Sequence, residues 1–92
     1  MNVSTLFHGI LADFVGVKAT SFDLAEGSTY GDLLIEIGKR YGPNMPEQLW
    51  DQEENTFNAP ILAKGFEREI DSPEVPLQDG EEIKFFLMIS GG

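Results

Sequence analysis

Only one stretch of this 92-residue chain carries the repeat of a sizeable amphipathic helix, and that limits the architectures open to it. Tyr30, Leu33, Leu34, Ile37 and Tyr41 recur at helical spacing and share one face. Thr29 followed by Asp32 is a variant capping box, with Asp in place of the usual Glu or Gln. Its hydroxyl satisfies an amide of the first turn that would otherwise lack a partner. Asp32 and Glu36 fall in the N-terminal half, Lys39 and Arg40 in the last turn, and both placements complement the helix dipole. Gly42-Pro43 ends the helix. A single apolar stripe needs one surface to cover. The other apolar segments repeat every second residue, so that surface is a small sheet.

Val3, Thr5 and Phe7 alternate with Ser4, Leu6 and His8, which predicts a first strand. Gly9 and Gly16 flank a short irregular connection. Val17 to Leu24 alternates again as the hairpin partner of the first strand, its inward face left open near Phe22 and Leu24. Residues 43–59 are the least regular part. Pro46 to Trp50 reads as one helical turn anchored to the core by Trp50, and Asp51, Glu53 and Glu54 as a solvated loop. Pro60 to Lys64 is a third strand ended by Gly65, Glu67 to Val75 is polar and breaks at Pro73, and Gln78-Asp79-Gly80 is a tight turn. Glu82 to Ile89 is the last strand. Ile83, Phe85, Leu87 and Ile89 share its core face; Lys84, Phe86 and Met88 share the other. The expected fold is α+β, a mixed sheet packed on one main helix. It forms a single domain over residues 1–92, with a flexible tail at 90–92.

Charge and composition remove several function classes. Sixteen Asp and Glu against six Lys and Arg give a formal net charge of −10. A nucleic-acid binder needs a basic footprint, so neither nucleic acid nor an anionic membrane is an expected partner; a basic protein surface is. There is no cysteine, which excludes disulfides, thiolate catalysis and zinc–thiolate sites and agrees with a cytoplasmic protein. The lone histidine, His8, cannot form a histidine metal cluster, and the acidic loop lacks the ligand spacing of an EF-hand, so no metal is expected. The longest apolar run, Phe85 to Ile89, is too short to span a bilayer, and the opening residues lack a signal peptide's basic region. Gly27-Ser28-Thr29-Tyr30-Gly31 lacks the lysine and spacing of a P-loop, and no nucleophile–base set is assembled, so no catalytic activity of the chain's own is expected.

The informative features lie at the end. Phe86 and Met88 project from the last strand away from the core, which suggests a contact patch. Ser90-Gly91-Gly92 follows. It is thin, and three extended residues reach roughly 10 Å, enough to carry a carboxylate into a narrow pocket of another protein.

In this order, several segments resemble the MoaD/ThiS family of sulfur carriers, which includes the molybdopterin synthase small subunit. They are Leu6-Phe7, Phe14-Val15-Gly16, Gly27 to Leu34, Arg40-Tyr41-Gly42, Pro76 to Ile83, Phe85-Phe86 and Ser90-Gly91-Gly92. The resemblance covers nearly everything except residues 43–59. Leu87-Met88 stand where the family often has a proline pair, and Ala12-Asp13 where it often has Arg-Glu. The resemblance implies a ubiquitin-like β-grasp fold and chemistry at Gly92. A ubiquitin-activating-type enzyme, using ATP, adenylates the terminal carboxylate, and a sulfur donor converts it to a thiocarboxylate. The chain binds no cofactor itself. The implied site is Gly92 with Gly91. Leu6, His8, Phe66, Phe86, Met88 and Ser90 face partners, which are the activating enzyme and the molybdopterin synthase large subunit or another acceptor. Three alternatives stay open: a carrier for thiamine or cysteine synthesis, a ubiquitin-like modifier joined to lysines through Gly92, and an interaction module with an idle tail. His8 stays open between a partner contact and a solvated strand residue.

Overall fold

The computed structural model describes residues 1–88. Ile89, Ser90, Gly91 and Gly92 lie outside the described residues. Ten elements follow one another: β1 (Asn2–Phe7), α1 (Ile10–Val15), β2 (Ala19–Asp23), α2 (Tyr30–Tyr41), a 3₁₀ turn (Gly42–Asn44), β3 (Trp50–Asp51), β4 (Thr56–Phe57), β5 (Ile61–Gly65), β6 (Arg68–Glu69) and β7 (Glu82–Leu87). The main sheet has the order β2-β1-β7-β5-β6. Its centre is the parallel pair of β1 and β7, Thr5 opposite Ile83 and Phe7 opposite Phe85; the other pairings are antiparallel. The sheet is therefore mixed, as expected, and the first and last described strands meet at its middle.

Helix α2 covers one face. Thr29 caps it with the capping box read from the sequence: its hydroxyl accepts from the Asp32 amide at 3.3 Å, and the Asp32 carboxylate accepts from the Thr29 amide at 2.9 Å. Leu33, Leu34 and Ile37 are buried against Val3, Phe7, Ile83 and Phe85. The Phe7 and Phe85 rings stack with centroids 5.1 Å apart, and the Tyr30 ring lies beyond at 6.2 Å from Phe85. Burial pushes the Tyr30 phenol well above its ordinary pKa, so it stays neutral in the core.

Several segments depart from the sequence reading. The connection between Gly9 and Gly16 is not irregular but the six-residue helix α1. Both glycines have positive φ, +60° and +100°, and bracket a turn whose Leu11 and Val15 are buried. Strand β2 is shorter than expected; Phe22 within it and Leu24 just past its end are buried. The Arg40 guanidinium lies 4.2 Å over the Phe22 ring and donates to the Ser21 carbonyl at 3.0 Å, capping this sheet edge.

Pro46 to Trp50 does form one turn, with the Trp50 amide donating to the Pro46 carbonyl at 3.0 Å. Glu53 and Glu54 are exposed, as expected, but their loop is the bend of a small hairpin, β3 with β4, and Asp51 belongs to β3. The Asp51 carboxylate accepts from the Glu53 and Glu54 amides, and Trp50 meets Phe57 edge-on at 4.9 Å. Strand β5 begins at Ile61 and ends at Gly65, as expected, but the polar stretch after it contains β6. Leu87, expected in the core, is half-buried against its rim.

Candidate partner-binding site

The pleat and the register bring four of the expected contact residues together. Leu6 lies opposite Lys84 and Phe7 opposite Phe85, so His8, next along, falls beside Phe86; Leu62 faces Phe86 from β5. Leu62, Phe86 and His8 form a row across the sheet face turned away from α2, with Leu6 and Lys84 in the row below. The His8 ring stacks on Phe86 with centroids 4.2 Å apart and an interplanar angle of 11°. Its amide donates to the Phe85 carbonyl at 3.0 Å, which holds the ring over its neighbour. His8 Nε2 is buried and has no hydrogen-bond partner among the described residues. His8 is thus half-buried, and it is not a freely solvated strand residue.

Met88 extends the β5–β7 ladder past the strand end through its amide, which donates to the Pro60 carbonyl at 2.9 Å. Its side chain is 51% exposed beside Phe86. The patch therefore consists of Leu6, His8, Leu62, Phe86 and Met88, with Lys64 and Lys84 paired across the strands next to it. Leu62 was missed in the sequence, although its place in the third strand, one residue from inward Ala63, already put it on this outer face.

Phe66 stands apart. It is 49% exposed, but it follows β5 at the end where β7 begins, whereas Met88 lies where β7 ends. The two residues mark opposite ends of the sheet. Ser90, Gly91 and Gly92 lie outside the described residues.

What holds Phe66 in place was not read from the sequence. Glu81 is fully buried just before β7. Arg68 Nη2 donates to its Oε1 at 2.7 Å, Arg68 Nε to its Oε2 at 3.1 Å, and the Gln78 and Phe66 amides donate to the same carboxylate at 2.9 Å. Burial pushes the Glu81 carboxyl up, but Arg68 and the two amides outweigh it and hold the group below the usual carboxylate range. Gly65 makes room: a Cβ there would collide with Glu81 Oε2. The cluster ties the β5–β6 turn, Phe66 included, to the 76–81 segment.

Among the described residues no group of His, Cys, Asp or Glu is placed to hold a metal ion, and no helix is long and apolar enough to cross a membrane. The chemistry this surface offers is recognition through stacked rings, a thioether and two lysines.

No protein-family model matches the chain, and no curated protein matches it in sequence. Solved structures do match, over essentially its full length. SAMP1 from Haloferax volcanii superposes with a TM-score of 0.79 at 17% identity, with all of both chains covered. A protein assigned as molybdopterin converting factor, subunit 1, from Pyrococcus furiosus gives 0.72 at 23% identity, covering 97% of this chain and 99% of its own. Urm1 from Trypanosoma brucei gives 0.65 at 17% identity, covering 99% and 95%.

The fold is the ubiquitin-like β-grasp. The structural neighbours are of the kind that the sequence resemblance points to. In this β-grasp the parallel pairing of β1 with β7 places the end of the last described strand beside the end of the first. Residues from both ends, His8 and Met88, accordingly share one patch.

Proposed function

We propose that this chain is a sulfur carrier whose working group is the carboxylate of Gly92. The observation that carries the reading is the position of the apolar patch. Leu6, His8, Leu62, Phe86 and Met88 surround the point where β7 ends, and Ile89, Ser90, Gly91 and Gly92 follow Met88 directly. A partner docked on the patch receives those residues. Carboxylate chemistry then needs no catalytic group on the carrier, which fits a chain with neither cysteine nor a second histidine.

The Gly92 carboxylate attacks the α-phosphorus of ATP on an activating enzyme, giving an acyl-adenylate and releasing pyrophosphate. Hydrosulfide displaces AMP, leaving a thiocarboxylate and a proton. With a persulfide donor, the acyl disulfide formed first is reduced by a thiol to the same product. The thiocarboxylate then donates sulfur to an acceptor, and the resemblance favours the molybdopterin synthase large subunit over an acceptor in thiamine or cysteine synthesis.

The neighbour named small archaeal modifier protein 1 supports a second use of the same acyl group. In that use a lysine amine of another protein replaces sulfide and forms an amide.

Intact-mass spectrometry of the chain purified from its host tests both. Measured again after incubation with its activating enzyme, ATP and sulfide, a gain of one sulfur for one oxygen at Gly92 is expected. Species linked to other proteins through Gly92 establish the modifier role. No gain with a demonstrably active enzyme removes the carrier reading.

A further inference from the structure

A second surface lies on the helix side of the molecule. The N-terminal half of α2, the β3–β4 hairpin and the segment at 71–74 enclose an open groove of about 440 Å³. It adjoins a hollow of about 210 Å³ that reaches Ile61 and Ile70 and shares Leu34, Thr56 and Pro73 with it. The floor is apolar, and Ile35 lies exposed along it. The rim is acidic: Asp32, Glu54 and Glu74 line the groove and Asp71 lines the hollow. No lysine, arginine or histidine lines either one. None of these four carboxylates is in an ion pair among the described residues.

One edge of the hollow is an unfilled sheet position. Strand β6 pairs with Lys64 and Gly65 of β5, so among the described residues Ile61 and Leu62 have no strand on that side. The hollow reaches the Met88 end of the sheet: Ala59 and Ile61 flank Pro60, whose carbonyl accepts from the Met88 amide, and Ile61 lies opposite Leu87. Helix α2 starts where Thr29 bridges Pro76, near the beginning of β7.

We propose that this groove binds an extended, lysine- or arginine-rich segment of another protein, with alternate apolar side chains set on Ile35 and Pro73. The unneutralised rim selects the charge, because basic groups approaching it meet attraction with no local cation to displace. The floor selects the apolar positions, and the open side of β5 suits an extended backbone, whose side chains alternate. The site does not depend on the carrier reading.

The probe is a synthetic peptide of alternating lysine with leucine or valine, titrated into the isotope-labelled full chain and followed by amide-resolved NMR. Shifts concentrated at Gly31, Ile35, Thr56 and Ser72 are expected. The double charge reversal Glu54→Lys with Glu74→Lys is expected to weaken binding about tenfold. Both residues are exposed, so the fold should survive, and the unperturbed part of the spectrum checks this. Ile35→Ala, which leaves the charge intact, is expected to weaken binding as well. Shifts spread over the whole acidic surface or centred on Leu6 and Phe86 would overturn the proposal. Equal binding by a lysine–glycine peptide, or no effect of the charge reversal, would do the same.

Discussion

Phe86 is half-buried, with one face under the His8 ring. It therefore contributes less to the core than Phe85, which is fully buried between Phe7 and Tyr30. Phe86→Ala should lower stability by about 1 kcal/mol, well short of the 3–5 kcal/mol of a core phenylalanine. It should weaken binding of the activating enzyme at least as much. Calorimetric titration beside a thermal melt checks this, and a large stability loss with normal binding would place Phe86 in the core. Glu81 gives the opposite case. Glu81→Gln keeps the shape but leaves Arg68 without its charge partner, which should cost about 3 kcal/mol, at the low end for breaking a buried pair because Arg68 is partly exposed. The carboxyl's pKa is lower in the folded state than in the unfolded chain, so the unfolded state binds the extra proton. Its stabilisation is fully present above the ordinary glutamate pKa of about 4.3 and fades as pH falls through the folded value. Urea midpoints of the two proteins should thus converge on acidification; a constant gap would rule out the charge as the cause. The outward placement of Phe86 was legible because strand parity fixes it. The Glu81–Arg68 pair was not: the partners are 13 residues apart, and a buried charge leaves no mark on an apolar pattern.

At the scale of elements, the sequence was readable where an element was long enough to show its period. Helix α2 has 12 residues and both its cap and its face were apparent, whereas α1 has six, too few for Leu11 and Val15 to establish a repeat. Strands β3 and β4 have two residues each, and their pairing rests on the fit of Trp50 against α2, which is a tertiary fact. Gly38 is where that fit is tightest. A Cβ there would lie 2.9 Å from Trp50 Cζ2 and 2.6 Å from Asn55 Oδ1. By helix propensity alone Gly38→Ala should stabilise by about 1 kcal/mol. Here the added methyl must push the Trp50 ring or the hairpin bend aside, and such overpacking costs about 1–3 kcal/mol. Net destabilisation is therefore expected, together with an altered near-ultraviolet signal from Trp50, the only tryptophan. A more stable Gly38→Ala protein with an unchanged Trp50 signal would show that the hairpin yields freely.

At the scale of the whole molecule, the mixed sheet on one helix followed from the need to cover a single apolar stripe. The parallel pairing at its centre was less accessible, because β1 and β7 lie at opposite ends of the described chain and only the assembled sheet brings them together. The charge, in contrast, was evident from composition alone, and its consequence is energetic. A formal net charge of −10 is confined to a body of 38 × 27 × 22 Å, only a few Debye lengths across, the Debye length being about 10 Å in 0.1 M salt. Among the described residues few of the carboxylates have a cation nearby: the ion pairs take up Asp23, Glu36, Glu81 and Glu82. The remainder repel one another more strongly in the compact state than in the expanded unfolded chain, so lowering the salt should destabilise the fold. The melting temperature is expected to rise with sodium chloride and to level off once the charges are screened. Glu26→Lys with Glu47→Lys tests the cause, since both residues are exposed, neither lines the proposed groove, and each change adds two charges, taking the net from −10 to −6. That variant should melt higher than the parent in dilute buffer and respond less to added salt. If the two proteins gain equally from salt, the effect comes from ion exclusion and apolar burial instead, and the acidity serves only solubility and partner choice.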